Sequence, residues 1–113
     1  MSKKKRNYSN FKFPARSSLK ELGISRERLK ELQNGCMAGK YPPEMLHEAC
    51  AGFEFLEPWI ILSVTKGWSY DFIIIKWELR ELERPPVGRS DFYGYRMRFC
   101  YNLDNLLKEE RST

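Results

Sequence analysis

The chain has one histidine, His47, and three cysteines, and its apolar runs extend no further than the four residues of Phe72-Ile73-Ile74-Ile75. A helix that crosses a bilayer needs about 20 apolar residues, so a membrane span is excluded. Cys36, Cys50 and Cys100 stand 14 and 50 positions apart, a spacing that fits neither a disulfide framework nor a compact metal motif. Three reduced, packed thiols in a cytoplasmic protein are expected. The seven glycines form no phosphate loop and no dinucleotide fingerprint.

Catalytic groups are equally sparse. His47 stands beside Glu48 and three residues before Cys50. No third orienting residue or oxyanion-donating loop accompanies the pair, so a histidine on an ordinary helix face is expected. A tetrahedral zinc site would need Cys36 and Cys100 to meet that pair in space. Glu44, Glu48, Glu54 and Glu57 read as a solvated helix face rather than an acid/base pair. The expectation is a protein that is not an enzyme, with no catalytic residue, metal or cofactor. The start, Met1-Ser2-Lys3-Lys4-Lys5-Arg6, leads into polar residues instead of an apolar stretch, which is not the pattern of a secretory signal.

What is present suits one compact domain: 113 residues, 42% hydrophobic and 14% aromatic, enough to bury a single core. The net charge of +5 is uneven. Residues 1 to 40 carry +8, residues 41 to 83 carry −5, and residues 84 to 99 carry +3 from Arg84, Arg89, Arg96 and Arg98 against Asp91. Two basic regions around an acidic middle favour an anionic partner, and double-stranded DNA is the leading candidate. A lysine-rich start such as Lys3, Lys4, Lys5 and Arg6 also serves solubility alone.

Periodicity predicts helices throughout. Residues 1 to 17 form a flexible basic arm, and residues 18 to 113 a single helical domain. Leu19 and Leu22 before Gly23 suggest a short helical turn. Ser25 caps a helix over 26 to 38, with Leu29, Leu32, Cys36 and Met37 on one face and Gly39 with Pro42-Pro43 ending it. Met45, Leu46, Ala49, Cys50 and Phe53 continue a helical stripe from Pro43, which passes on to Leu56, Trp59, Ile60, Ser63 and Val64. Pro58 either kinks that helix or begins a new one, with a break near 56 to 58. Lys66-Gly67 is a stop and Ser69 a cap. The segment 70 to 82 is read as helix despite its β-favouring run, with Ile74, Ile75, Trp77, Leu79 and Leu82 on a broad apolar face. Arg84-Pro85-Pro86-Val87-Gly88-Arg89 cannot be helical. Ser90 then caps the last helix, 91 to 109, on which Phe92, Tyr95, Phe99, Leu103 and Leu106 recur at helical steps. The fold class is therefore all-α, with four to five helices and a C-terminal helix-turn-helix-like unit over 69 to 107.

On that last helix Phe92, Phe99 and Leu103 share one side, leaving Tyr93, Gly94, Met97, Arg98 and Tyr101 as the expected solvent face. Arg89, Ser90, Tyr93 and Arg98 become candidate nucleic-acid contacts, since a helix entering the major groove reads from its N-terminal residues. Gly94 would allow close backbone approach. Arg96 sits nearer the apolar side, and a structural salt bridge to the acidic middle is expected for it. An ordinary solvated face rich in Arg and Tyr is the competing reading.

Two stretches resemble a known group. Val64-Thr65-Lys66-Gly67-Trp68-Ser69-Tyr70 and the run from Pro86-Val87-Gly88-Arg89-Ser90-Asp91 through Phe92-Tyr93-Gly94-Tyr95-Arg96-Met97-Arg98-Phe99 to Leu103 resemble small phage and mobile-element proteins of firmicute bacteria. Those look in turn like phage late-operon transcriptional regulators of the ArpU and RinA kind, whose C-terminal part resembles sigma-factor region four. Glu31-Leu32-Gln33, Cys36 and Tyr41-Pro42 resemble their N-terminal portion, so the resemblance covers 31 to 107. It implies a helix-turn-helix whose helix from Ser90 reads DNA, with Arg89, Tyr93, Arg96 and Arg98 on the motif positions, in the cytoplasm of a bacterial host. Residues 71 to 85 depart from it, being longer and more apolar than expected between the two motif halves.

The expected function is DNA-binding transcriptional regulation of the phage type. The alternative is a small phage-encoded inhibitor of a host defence nucleoprotein, anti-CRISPR-like, acting on a protein or in a nucleic-acid channel. Trp59, Trp68, Trp77, Tyr70, Tyr93, Tyr95 and Tyr101 are numerous for a small core, so they either fill an aromatic-rich interior or form a surface for a homodimer or another partner.

Overall fold

A computed structural model describes residues 23–112, which form five α-helices, one 3-10 turn and no strand. The helices are α1 (Arg26–Met37), α2 (Pro43–Glu48), α3 (Glu57–Lys66), α4 (Tyr70–Glu78) and α5 (Arg89–Ser112), with the 3-10 turn at Glu54–Leu56. The fold is all-α. None of the described helices is long and apolar enough to cross a membrane. Leu19, Leu22 and the expected basic arm lie outside the described residues.

The caps read from the sequence are in place. The Ser25 hydroxyl accepts the N–H of Arg28 at 3.0 Å and the Ser69 hydroxyl that of Phe72 at 3.1 Å, each satisfying an amide that the helix itself leaves unpaired. Gly67 ends α3 in the left-handed region at φ 72°, open to glycine without steric cost.

Three boundaries differ from the expectation, and at Pro58 one of the two expected alternatives holds. The stripe from Met45 to Phe53 is not one helix, because α2 ends at Glu48 and Gly52 turns the chain at φ 95°. Ala49, Cys50 and Phe53 stay fully buried, so a tight turn reproduced the helical burial pattern without the helix. Pro58 begins rather than kinks, lying in the first turn of α3. Helix α4 stops at Glu78 instead of 82, because Arg80 adopts φ 63°. Its N–H and that of Glu81 turn back to the carbonyls of Trp77 and Lys76, both at 2.9 Å, which closes the helix as a Schellman-type end. Helix α5 starts at Arg89, with the Gly88 carbonyl accepting from Phe92 at 2.9 Å, so Ser90 lies inside the first turn and is not the cap.

Helix α5 is the strut of the domain. Phe92, Tyr95, Phe99, Cys100 and Leu103 are all buried, packed against Leu32 and Cys36 of α1, Met45 and Leu46 of α2, Ile60 and Val64 of α3 and Ile73 of α4. Burying a side chain such as Phe92 or Phe99 contributes about 2–3 kcal/mol. Polar links fix the register. Asn102 donates to the Ala49 carbonyl at 2.9 Å beyond the end of α2. Arg28 donates from Nε to the buried Asp104 at 2.8 Å and from Nη1 to Glu31 at 2.6 Å, so the residue three after the Ser25 cap bridges α1 to α5.

Candidate nucleic-acid interface

The N-termini of α4 and α5 lie side by side. Three interactions join them. The Tyr93 hydroxyl accepts the backbone N–H of Tyr70 at 2.9 Å, the Tyr70 hydroxyl donates to the Val87 carbonyl at 2.8 Å, and Arg89 pairs with Asp71. Tyr70 and Phe92 pack ring against ring at 5.4 Å, and Phe92 meets Tyr93 edge-on at 5.6 Å. The first turn of α5 is therefore held from both sides, while Gly88, Arg89 and Ser90 remain exposed. Both helices direct their positive dipole ends to this corner. Asp71 and Asp91 sit in the two first turns and offset part of that potential.

The candidate residues separate by exposure. Arg89 and Ser90 are at the open tip. Tyr93 is half-buried and its hydroxyl is committed to the first turn of α4. Arg96 is half-buried and makes no ion pair with residues 41 to 83. Its guanidinium lies over the Tyr93 ring at 5.8 Å and its buried Nε has no hydrogen-bond partner. In place of the salt bridge expected for Arg96 the structure has this stacking on Tyr93. Arg98 is half-buried too, and burial pulls its guanidinium below the ordinary value. Lys3, Lys4, Lys5 and Arg6 lie outside the described residues.

The expected solvent face of α5 is thus corrected. Gly94 is buried, and Tyr93, Met97, Arg98 and Tyr101 are half-buried, since a helix enclosed by four others has no wide open side. The exposed described residues of α5 are Arg89 and Ser90 at its start and Lys108 to Glu110 near its end. The connector between α4 and α5 spans residues 79 to 88, whereas a helix-turn-helix joins its helices through three or four residues. Such a short turn does occur here, at Gly67-Trp68-Ser69 between α3 and α4. The outer side of α4 nevertheless presents Phe72, Ile75 and Leu79, which offer no donors or acceptors to base edges.

The basic segment 84 to 99 is occupied by the fold to different degrees. Arg84 stacks on the Trp77 ring at 5.2 Å, and the Trp59 indole N–H donates to the nearby Glu83 carbonyl at 2.9 Å. Arg84 and Arg89 are both exposed.

Cys36, Cys50 and Cys100 are free and buried, and burial pushes their thiols up to about 11, about 12 and about 12. A thiol held that high is a poor nucleophile at neutral pH. His47 is exposed on α2 and bonds Glu57 at 2.7 Å across the turn to α3, away from Cys50. Among the described residues no three His, Cys, Asp or Glu side chains gather as a metal site requires. The aromatic side chains largely fill the interior: Tyr70 and Tyr95 are buried and Trp59, Trp68, Tyr93 and Tyr101 half-buried. The exposed large apolar residues are Met37, Phe55, Phe72, Ile75, Trp77 and Leu79, of which the sequence reading placed Met37, Ile75, Trp77 and Leu79 on apolar faces.

No protein-family model, curated protein or solved structure matches the chain.

Proposed function

We propose that the chain is a DNA-binding transcriptional regulator of the phage type that touches duplex DNA with the tip of α5 rather than along its face. The observation behind this reading is the exposed turn of Gly88, Arg89 and Ser90, held by Tyr70, Tyr93 and Asp71, while residues 91 to 107 of α5 are buried or half-buried. Free amides at a helix start favour a phosphate oxygen, and a guanidinium beside them adds a charge-assisted contact. Arg89 is shared with Asp71, so binding requires the guanidinium to turn from the carboxylate to the phosphate. The basic residues Lys3 to Arg6 supply nonspecific attraction to the backbone.

The test is titration of the protein with duplex DNA flanking its own gene at two salt concentrations. Arg89→Ala should weaken binding and lower the slope of log affinity against log salt by about 1. Asp71→Asn should strengthen it, because the carboxylate that competes for Arg89 is gone. Weak binding that is equal on any duplex and indifferent to both variants would overturn the proposal. The inhibitor reading would then take its place, tested by binding to purified host nucleoprotein complexes.

A further inference from the structure

The outer face of α1 carries positive charge and no carboxylate. At about 100° per residue, Arg26, Lys30, Gln33 and Met37 fall within about 60° of one another, on the side away from the buried Leu32, Gly35 and Cys36. Arg26, Lys30 and Met37 are exposed and Gln33 is half-buried. Glu27 and Glu31 stand about 60° and about 100° beyond the edge of this stripe. Glu31 is moreover taken by Arg28 at 2.6 Å. The stripe continues past the end of the helix. A Cβ on Gly67 would meet the Met37 sulfur at 3.0 Å, so the turn from α3 to α4 lies against the last turn of α1 and brings the exposed Lys66 beside it. The same turn runs into Tyr70, whose N–H is bonded by Tyr93 at the corner that presents Arg89. Stripe and corner are thus joined through one turn of chain.

The cations of the stripe are unspent. Arg26, Lys30 and Lys66 make no ion pair among the described residues, in a chain with 15 acidic residues. Arg28, Lys76, Arg89 and Lys108 are each paired with a carboxylate. Exposed cations aligned on one helix face form the footprint of a polyanion. Arg26 and Lys30 lie about 6 Å apart along the axis, and a duplex carries a charge every 1.7 Å or so, so a duplex laid on this face can meet both. An anionic membrane fits poorly, because a helix that lies on lipid buries an apolar side and Met37 is the one large apolar residue of the stripe.

We propose that the outer face of α1, with Lys66 at its end, is a second contact with the phosphate backbone of the duplex that the tip of α5 touches, a contact that rests on the DNA-binding reading above. Arg26, Lys30 and Lys66 each neutralise a phosphate, and the Gln33 amide adds an uncharged donor between them. Backbone contacts of this kind fix a protein on the duplex without selecting a sequence. Helix α1 therefore contributes affinity on any duplex, and it holds the tip of α5 in one orientation.

The whole chain is titrated with the duplex flanking its own gene and with an unrelated duplex of equal length, over a range of salt. Arg26→Gln with Lys30→Gln should lower the slope of log affinity against log salt by about 2 and weaken binding roughly fiftyfold at about 0.1 M salt, equally on both duplexes. Lys66→Gln should lower the slope by about 1, and Lys30→Arg, which keeps the charge, should leave it unchanged. Far-ultraviolet circular dichroism should be the same in every variant, since the replaced side chains are exposed. Arg80→Gln with Arg84→Gln removes as much charge beyond the far end of α4 and should leave the slope as it is. Failure of the wild type to bind either duplex would remove the DNA-binding reading and this contact with it. Binding that responds to Arg89→Ala but not to the Arg26 and Lys30 exchange, or as much to the Arg80 and Arg84 exchange, would overturn the α1 contact alone.

Discussion

The hydroxyl of Tyr93 accepts the backbone N–H of Tyr70 at 2.9 Å, so a side chain in the first turn of α5 satisfies an amide in the first turn of α4. Two helix starts are locked by one oxygen. The corner that presents Arg89 and Ser90 has its geometry from this bond and from the return bond of Tyr70 to Val87.

Replacing Tyr93 by Phe keeps the ring against Phe92 and removes only the acceptor. The expected loss is about 1 kcal/mol, or a melting temperature lower by roughly 4–8 °C, read by thermal unfolding. DNA affinity measured well below the transition should fall modestly along with stability, since the corner loses one of the bonds that set its geometry. Loss of affinity with no loss of stability would instead make Tyr93 a base reader.

Glycine 35 lies within α1 against Tyr41, where an added Cβ would come within 2.6–2.8 Å of the phenol ring and hydroxyl. At an open helix site Gly to Ala stabilises by about 1 kcal/mol. At this site Gly35→Ala should destabilise by about 1–3 kcal/mol in urea unfolding, and Tyr41→Leu in the same chain should recover part of it. A more stable Gly35→Ala would show that the Tyr41 ring moves aside freely.

Acid should weaken the link between α1 and α5. Burial acts to raise the carboxyl of Asp104, but hydrogen bonds from Arg28 and Lys108 outweigh it and hold the group below its ordinary value. A carboxyl lowered by folding contributes stability that is complete above its unfolded value and is lost as pH falls through the folded one. Asp104→Asn should therefore cost about 2 kcal/mol near neutral pH, and the gap to wild type should narrow in urea unfolding at about pH 3. A gap that is constant with pH would contradict the assignment.

The opposite sign applies to His47. Its hydrogen bond to Glu57, and then the charge of that carboxylate, raise the imidazole above its ordinary value. The contribution is complete below the unfolded value and disappears as pH rises through the folded one. As the chain has one histidine, its ring signals in a magnetic-resonance titration belong to a single site. The midpoint should fall toward the ordinary value in Glu57→Gln. An unchanged midpoint would mean that the bond does not form in solution.

How far the sequence could be read depends on the kind of signal each element carries. Ser25, Ser69 and Gly67 were legible because a cap or a left-handed stop is a property of one residue and its neighbours. The end of α4 was not, since Arg80 occupies a position that glycine normally announces. The turn after α2 was hidden for another reason: Ala49, Cys50 and Phe53 are buried at helical intervals outside any helix. At the candidate interface, Arg89 and Ser90 were placed correctly at an exposed tip. Tyr93 and Arg98 were placed outward on a wheel that shows which residues share a side, not how many helices surround it.

The strut formed by α5 has a consequence for synthesis. Helices α1 to α4 leave the ribosome before it, and Leu32, Ile60, Val64 and Ile73 lack the largest part of their shared core until Phe92, Phe99 and Leu103 emerge. The earlier part of the nascent chain is thus an adhesive intermediate, open to chaperones and proteases, and the rate at which residues 89 to 112 are translated sets how long that exposure lasts.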